Sequence, residues 1–261
     1  MKKNWKNNRG YRWVGVIIFL FMLGMPERAL TQEVGIEFSK GSWKKQLNQA
    51  KRQKKLIFLD CHTKWCGFCK VLAQYVFTDP EVARFYNQHF VNVEMDMEEG
   101  VGVELVKKYG IHAYPTLLFI NEQGELEDYH AGYLAPKELI ALGERALKPE
   151  NNLAGMRKRY AAGEREPEML REYLRILSKA YQDSLMREII STDLGGLDDN
   201  RFYTPEVWNI IEENGQAAIS LLISRVIPNR DKFYGVVEKE RVELQYLISG
   251  KSNKGQNEKK S

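Results

Sequence analysis

A C-x-x-C segment lies between a continuous apolar run and a helix-like pattern. Residues 65–70 read Trp-Cys-Gly-Phe-Cys-Lys and hold two of the three cysteines of the chain, Cys66 and Cys69. The apolar run at residues 56–59 is typical of a buried strand, and the apolar spacing after residue 70 indicates a helix. A C-x-x-C between such elements predicts a thiol–disulfide redox site. The chain must therefore fold into a strand, a turn and a helix in direct succession here.

The first 31 residues have the features of a secretory signal. Five basic residues precede an apolar run at residues 13–25, and Pro26 follows it. This order is typical of a cleaved signal peptide. The run is shorter than the roughly 18 apolar residues that a transmembrane helix needs. We therefore expect residues 1–31 to be removed on export to the periplasm. The alternative is that these residues are not cleaved and anchor the protein in the membrane. We expect no other attachment of the chain to a membrane.

The positive charge of the chain lies at its two ends. The whole chain carries +4, whereas residues 1–31 carry +5 and residues 251–261 carry +3, so the part between them carries −4. Neither end is a basic surface with interleaved aromatic residues, which argues against nucleic-acid binding. The tail at residues 251–261 has no apolar side chain and is predicted to be disordered.

The part between the two ends divides at residues 149–152. Before this boundary, strands and helices alternate, from a short strand at residues 36–38 to a helix that ends near residue 147. Alternation of this kind predicts an α/β fold with a central mixed sheet and helices on both faces. After the boundary, helices are predicted at residues 153–161, 166–181, 183–191, 205–213, 216–226 and 231–248. We expect an α/β domain at residues 32–148 and an all-α domain of unknown role at residues 149–250.

Residues 36–148 resemble the thioredoxin superfamily. The resemblance lies in the motif at residues 65–70, Asp60 six positions before the first cysteine, Tyr114-Pro115-Thr116 before a strand, Gly124 and Gly132. Residues 76–82, with Asp96, are similar to the exported branch that includes the C-terminal domain of transmembrane disulfide reductases. The resemblance implies a thioredoxin fold and a thiol–disulfide oxidoreductase that needs no cofactor. Its partners would be protein disulfides and thiols, with a membrane protein as electron donor.

The two cysteines have separate expected roles. Cys66 falls at a helix N-terminus, where free N–H groups and the helix dipole stabilise a thiolate. It is the expected nucleophile toward a substrate disulfide. Cys69, expected to be the more buried, would resolve the mixed disulfide. Asp60 would lie beneath Cys69 and exchange a proton with it. The alternative for Asp60 is a strand-end carboxylate that makes only local hydrogen bonds.

The resemblance also assigns residues that would contact substrate. Pro115 should follow a cis peptide bond, which leaves the Tyr114 backbone free to pair with an extended substrate. Trp65 should form an apolar rim beside Cys66. Alternation along the strand places His62 on the face of Asp60 and Cys61 on the opposite, core face. Lys70 is expected either to help hold the thiolate or to be exposed on the helix.

The direction of electron transfer is the least constrained property. Gly67-Phe68 replaces the Gly-Pro of thioredoxin, and this dipeptide helps to set the redox poise. The similarity to reductase domains favours a reductant or isomerase over a primary oxidant. Two other functions stay open, a binding module whose redox pair is incidental and a thiol chaperone for copper or haem delivery. A zinc site is not expected, because it needs two more Cys or His ligands in addition to Cys66 and Cys69. For a chaperone of a soft metal, Met95 and Met97 are the only further candidate ligands near the motif.

Overall fold

The computed structural model describes residues 35–243, so the predicted signal, the predicted tail and residues 244–248 of the last predicted helix lie outside it. The strands are β1 (Leu56–His62), β2 (Phe90–Asp96), β3 (Thr116–Ile120) and β4 (Leu126–Ala131). The helices up to residue 148 are α1 (Trp43–Gln53), α2 (Gly67–Val71), α3 (Pro80–His89), α4 (Val101–Tyr109) and α5 (Pro136–Ala146). They are followed by α6 (Leu153–Ala161), α7 (Pro167–Lys179), α8 (Asp183–Ile189), α9 (Asp199–Phe202), α10 (Pro205–Glu213) and α11 (Ile219–Leu221). Wider π-helical turns at Leu72–Val76, Ile190–Leu194 and Leu222–Val226 extend α2, α8 and α11.

The four strands form one mixed sheet in the order β2-β1-β3-β4. β1 runs parallel to β2, and β3 is antiparallel to both β1 and β4. A parallel pair needs a crossover connection, and α2 and α3 supply it between β1 and β2. The predicted α/β fold with a mixed sheet and helices on both faces is confirmed.

Local sequence signals set the ends of several helices. Ser42 caps α1 by accepting a hydrogen bond from the Lys45 N–H, and Asp79 caps α3 ahead of Pro80. These residues satisfy N–H groups that a helix start leaves unpaired. Gly110 ends α4 in the left-handed conformation with a φ of 63°, which costs a glycine little. All three signals are residue types that favour these positions at helix ends.

The two faces of the sheet are covered by different helices. Phe58, Leu117 and Phe119 pack with apolar side chains from α3, α5 and the π-helical turn after α2. On the other face, side chains such as Leu59 and Leu118 pack against α1, α4 and the helices beyond residue 149. Strands covered on both faces are nearly continuous apolar runs, as in β3, where all five residues are buried.

The helices after residue 149 share the core of the sheet. In α7 the residues Leu170, Tyr173, Leu174 and Leu177 are buried at helical spacing. They belong to the same apolar cluster as Tyr129 of β4. The regions expected to be two domains thus pack around one core within residues 35–243, and whether they fold independently stays a prediction.

The connection between α5 and α6 is a buried joint. Asn152 is 1% exposed. Its side chain accepts a hydrogen bond from the Gly155 N–H at 2.9 Å and donates one to the Ala146 carbonyl at 3.2 Å. A Cβ on Gly155 would lie 1.7 Å from the Pro149 carbonyl oxygen, so only glycine permits this approach. Residues 149–152 therefore form a rigid turn that fixes α6 relative to α5.

Two predicted elements are wrong. Residues 36–38 are extended but form no strand; the Ile36 N–H bonds the Phe77 carbonyl and the Ser39 N–H bonds the Asn92 carbonyl. Only the second of these hydrogen bonds is made to β2, and one bond does not form a ladder. The helix predicted from residue 231 is replaced by a 3₁₀ turn (Ile227–Lys232) and a loop, because Phe233 turns inward against Trp208, with ring centroids 5.0 Å apart. Helix resumes at residue 239.

Within residues 35–243, every helix is too short or too polar to span a bilayer.

A buried ion pair joins α5 to β4, and its removal tests how α5 is held. Arg145 donates two hydrogen bonds, at 2.8 and 2.9 Å, to the Asp128 carboxylate, whose side chain is 0% exposed. Burial raises the pKa of Asp128, and the Arg145 hydrogen bonds oppose that rise.

Arg145→Leu should lower the free energy of unfolding by about 3–5 kcal/mol, because it leaves a buried carboxylate unpaired. The double variant with Asp128→Leu should recover most of that loss. Arg175→Leu, which breaks a more exposed pair with Glu172, should change it by less than about 1 kcal/mol. Urea unfolding of the three variants measures these values, and equal losses in the two single variants would contradict the prediction.

Candidate active site

The two cysteines of the C-x-x-C form a disulfide at the start of α2. Cys66 is the N-cap residue of this helix, and its sulfur accepts a hydrogen bond from the Cys69 N–H at 3.0 Å. The Cys66 N–H bonds the Thr63 carbonyl at 3.2 Å, which fixes the turn after β1. Cys66 thus lies where the unpaired N–H groups of the helix start stabilise a thiolate.

The burial of the cysteines differs from the prediction in one respect. Cys66 is 4% exposed and Cys69 is 5% exposed, so Cys69 is not the more buried of the two. The disulfide bond holds the two sulfur atoms side by side, so both residues are shielded to a similar extent. The expected difference in accessibility therefore does not exist in the disulfide form.

Asp60 is a buried carboxylate on β1. It is 5% exposed, and its Oδ1 atom has no hydrogen-bond partner among the described residues. Burial raises the pKa of Asp60 to about 7, and the negative charge of Glu94 beside it on β2 adds to the rise. Alternation places Asp60 on the face of Phe58, which packs against the turn that continues α2. Asp60 and the active-site helix therefore lie on the same side of the sheet.

The peptide bond before Pro115 is cis, as predicted. The Pro115 carbonyl accepts a hydrogen bond from the Gly132 N–H at 2.9 Å, which ties the start of β3 to the end of β4. The Tyr114 ring contacts Trp65 edge to face, with centroids 5.9 Å apart. The structure thus brings together Trp65 and Tyr114, which lie far apart in the sequence.

Trp65 forms an exposed rim next to the disulfide. Its side chain is 66% exposed, and its indole N–H donates a hydrogen bond to Glu98 at 2.9 Å. That contact holds the ring against Tyr114 and leaves its outer face free. Apolar groups exposed in this way are typical of contact surfaces.

A second aromatic pair flanks the disulfide and was missed from the sequence. Phe68, between the two cysteines, is 65% exposed, and Tyr133 is 42% exposed. Their ring centroids are 6.5 Å apart. Phe68 was noted only for its effect on redox poise, and Tyr133 was not considered. The available signal was an aromatic residue directly after Gly132, at the end of a predicted strand.

Three further residues near the motif are Cys61, Lys70 and His62. Cys61 is fully buried on the face opposite Asp60, as predicted. Burial raises the pKa of its thiol well above the ordinary value, and Asp60 adds to this rise. Lys70 is exposed on α2, and His62 is half-buried at the end of β1. Within residues 35–243, no three His, Cys, Asp or Glu side chains come together in a way that could hold a metal ion.

Comparisons with known proteins agree with this geometry. A family model described as a thioredoxin-like domain matches residues 43–147. Thioredoxin H4 of Arabidopsis thaliana is 33% identical over 90 residues, which cover 34% of this chain and 71% of that protein. The thiol:disulfide interchange protein DsbD of Haemophilus ducreyi is 29% identical over 92 residues, which cover 34% of this chain and 16% of DsbD. The chain thus spans about a sixth of the length of that relative.

Parts of two solved structures are similar to part of this chain. A candidate disulphide-isomerase from Bacteroides thetaiotaomicron, solved in solution, shares 49% identity with this chain. The match covers 45% of this chain and 97% of that one, with a TM-score of 0.42. The C-terminal domain of Neisseria meningitidis DsbD in its oxidised form shares 21% identity over 42% of this chain and 98% of its own, with a TM-score of 0.36.

Asp60→Asn should stabilise the oxidised protein, and the gain should grow with pH. The pKa of Asp60 is about 7 in the folded state and about 3.9 when unfolded. Ionisation therefore favours the unfolded chain, and stability is lost as the pH rises from about 4 to 7. The variant should be more stable by about 4 kcal/mol at pH 8, and by much less at pH 4.5. Urea unfolding at both pH values measures the gain, and an equal gain at both would contradict a raised pKa.

Proposed function

Since this chain belongs to the thioredoxin-like family of thiol–disulfide oxidoreductases, we propose that it acts on protein disulfides outside the cytoplasm. The observation that carries the proposal is the Cys66–Cys69 disulfide at the start of α2. The buried carboxylate of Asp60 and the cis bond before Pro115 support it. Together they supply a nucleophile, a resolving thiol, a proton acceptor and a place for the substrate backbone.

The proposed reaction starts from the reduced pair. The Cys66 thiolate attacks one sulfur of a substrate disulfide, a new S–S bond forms, and the electron pair of the broken bond leaves on the other substrate sulfur. The Cys69 thiolate then attacks Cys66, which closes the Cys66–Cys69 bond and releases the substrate as a dithiol. The enzyme loses two electrons and the substrate gains them. The reverse sequence would oxidise a substrate.

Asp60 is the proposed proton acceptor for Cys69. A carboxyl group with a pKa of about 7 is close to half ionised at neutral pH, which suits a group that both takes up and releases a proton. Its position on the α2 side of the sheet supports transfer to the thiol of Cys69. The exposed outer face of Trp65 and the Tyr114 backbone are the proposed contacts for the substrate chain.

The proposed direction is reduction or isomerisation rather than primary oxidation. The similarity to DsbD, named as a thiol:disulfide interchange protein, supports this direction. A reductant outside the cytoplasm needs a supply of electrons, because the periplasm is kept oxidising. We therefore propose a membrane protein as electron donor. The dipeptide Gly67-Phe68 between the cysteines is the expected site at which the redox poise is set.

The proposed location rests on residues 1–31. Their basic, apolar and small-residue segments support cleavage by the export machinery. The mature protein would then be free in the periplasm. An uncleaved segment would instead tether it to the outer surface of the inner membrane, and the active site would face the same compartment in either case.

Insulin reduction in the presence of dithiothreitol tests the activity. The wild type should turn over well above background, and Cys66→Ser should fall to background because it removes the nucleophile. Cys61→Ala is the matched control, since Cys61 is buried away from the site, and it should retain activity. Equal, background-level turnover in the wild type and Cys66→Ser would instead favour a binding module.

Trapping identifies the substrates and the donor. Cys69→Ser removes the resolving thiol, so mixed disulfides on Cys66 should persist. They should be recovered from periplasmic extract and resolved by reduction. Cys66→Ser with Cys69→Ser is the control, and partners captured equally by that double variant would not be substrates of Cys66.

Equilibration with glutathione tests the direction of transfer. We expect a reduction potential well below about −120 mV, the value of a strong oxidant. The fraction of oxidised Cys66–Cys69 can be followed by thiol alkylation. A value near −120 mV would exclude the proposed direction while leaving the activity itself intact.

A further inference from the structure

We propose that α5, α6 and α7 form a cleft that binds the polypeptide segment next to the disulfide of the substrate. This inference rests on the proposed function, because it assigns the class of substrate at the same site. The cleft has a volume of about 1470 Å³ and lies between the loop after β4 and the walls of α5 and α7. It gives the helices after residue 149 a role in recognition.

One end of the cleft lies close to the disulfide. Tyr133 lines the cleft. The centroid of its ring lies 6.5 Å from that of Phe68, a residue that stands between Cys66 and Cys69 in the sequence. Gly132, also in the lining, is hydrogen-bonded to the Pro115 carbonyl. A polypeptide held with its cystine at Cys66 would therefore enter the cleft by passing Phe68 and Tyr133.

The walls of the cleft carry charges of both signs. On α7, Arg171 pairs with Glu213 and Arg175 pairs with Glu172, and all four side chains line the cleft. The pairs hold long side chains in set positions, which lowers the entropy lost when a ligand binds. A lining of mixed sign suits a polypeptide, which offers amide groups and charges of either sign. It does not suit a polyanion, which needs a surface of one sign.

His130 contributes a neutral polar group to the floor. It is 7% exposed and lies on β4 opposite Leu117. Burial lowers the pKa of His130 to about 4, and the positive charges of Lys179, Arg145 and Arg175 add to the effect. At neutral pH the imidazole therefore has both a donor and an acceptor nitrogen. Such a group can bond to peptide amides without requiring a charge on the ligand.

The size of the cleft also favours a chain over a small molecule. Sites for small molecules usually measure about 300–1,000 Å³, and this cleft is larger and open along one side. An extended segment of several residues would use that length. We therefore expect the protein to distinguish a cystine within a polypeptide from a small disulfide.

A series of peptides tests this inference directly. Each peptide carries one cysteine, joined by a disulfide to thionitrobenzoate, within either 3 or 12 residues, with the extension on either side of the cysteine. The reduced Cys66 attacks the peptide sulfur, a Cys66–peptide bond forms, and thionitrobenzoate leaves with the electron pair of the broken bond. Cys69 then closes the enzyme disulfide and releases the peptide thiol. The release of thionitrobenzoate gives the second-order rate constant.

The variants block the cleft without changing the reactive groups. Ala141 lines the cleft and is exposed on α5, so Ala141→Trp should fill it. Ala161, also exposed but at the end of α6 and outside the lining, gives the matched control Ala161→Trp. Tyr133→Ala removes the bridge between the disulfide and the cleft, and serves as a second variant should Ala141→Trp fold poorly.

In the wild type, the 12-residue peptides that are extended on one of the two sides of the cysteine should react about tenfold faster than the matching 3-residue peptides. Ala141→Trp and Tyr133→Ala should lose most of this gain. Ala141→Trp should also keep the rate on short peptides within about twofold, whereas Ala161→Trp should retain both the gain and the rate on short peptides. Equal rates on long and short peptides in the wild type, or an undiminished gain in Ala141→Trp and Tyr133→Ala, would overturn the inference. A wild type that reacts with neither length would instead refute the proposed function.

Discussion

β1 runs through the interior of the sheet with both of its faces covered, and the positions of the reactive groups follow from that burial. Phe58 and Asp60 point toward α2, α3 and α5, while Leu59 and Cys61 point toward the opposite core. The strand cannot shift by one residue without exchanging these two sets. The turn that follows β1 therefore starts at a fixed position, and the hydrogen bond from the Cys66 N–H to the Thr63 carbonyl sets Cys66 at its end.

Burial also explains the chemistry of Asp60. A carboxylate with an unpaired oxygen in the interior is costly when ionised, so the fold tolerates a destabilising group on β1. Functional sites are where such costs are commonly retained. Glu94 increases this cost, since its charge lies beside Asp60 across the parallel pair of strands. A buried carboxyl group whose pKa is raised to about 7 therefore lowers the stability of the fold at neutral pH.

The helices beyond α5 are an integral part of the fold, although the family model stops at residue 147. The buried Asn152 and the close contact at Gly155 fix their first turn, and α7 completes the core over β4. The same packing leaves the opposite edge of α7 facing α5 across an open cleft. One placement of these helices therefore explains both the shared core and the additional surface beside the disulfide.

Features that depend on local sequence were predictable, and those that depend on tertiary contacts were not. The apolar run of β1 is a signal within one segment, and the structure confirms the strand that it predicts. The helix starts at Ser42 and Asp79 depend on local signals of the same kind. The contact between Phe68 and Tyr133 joins residues 65 positions apart and depends on how β4 and α2 pack. Residues 36–38 were wrongly assigned as a strand because an apolar, extended segment has the same pattern whether or not it pairs.

The burial of Cys61 makes the redox state of this protein readable in cells. Its thiol is shielded and its pKa is raised well above the ordinary range, so a membrane-permeant alkylating reagent should react with Cys66 and Cys69 of the reduced, folded chain and not with Cys61. A mass tag of that kind would add twice to the reduced protein and not at all to the disulfide form. A third tag, on Cys61, would show that the core around β1 has unfolded. A single gel would therefore distinguish oxidation of the disulfide from unfolding of the protein.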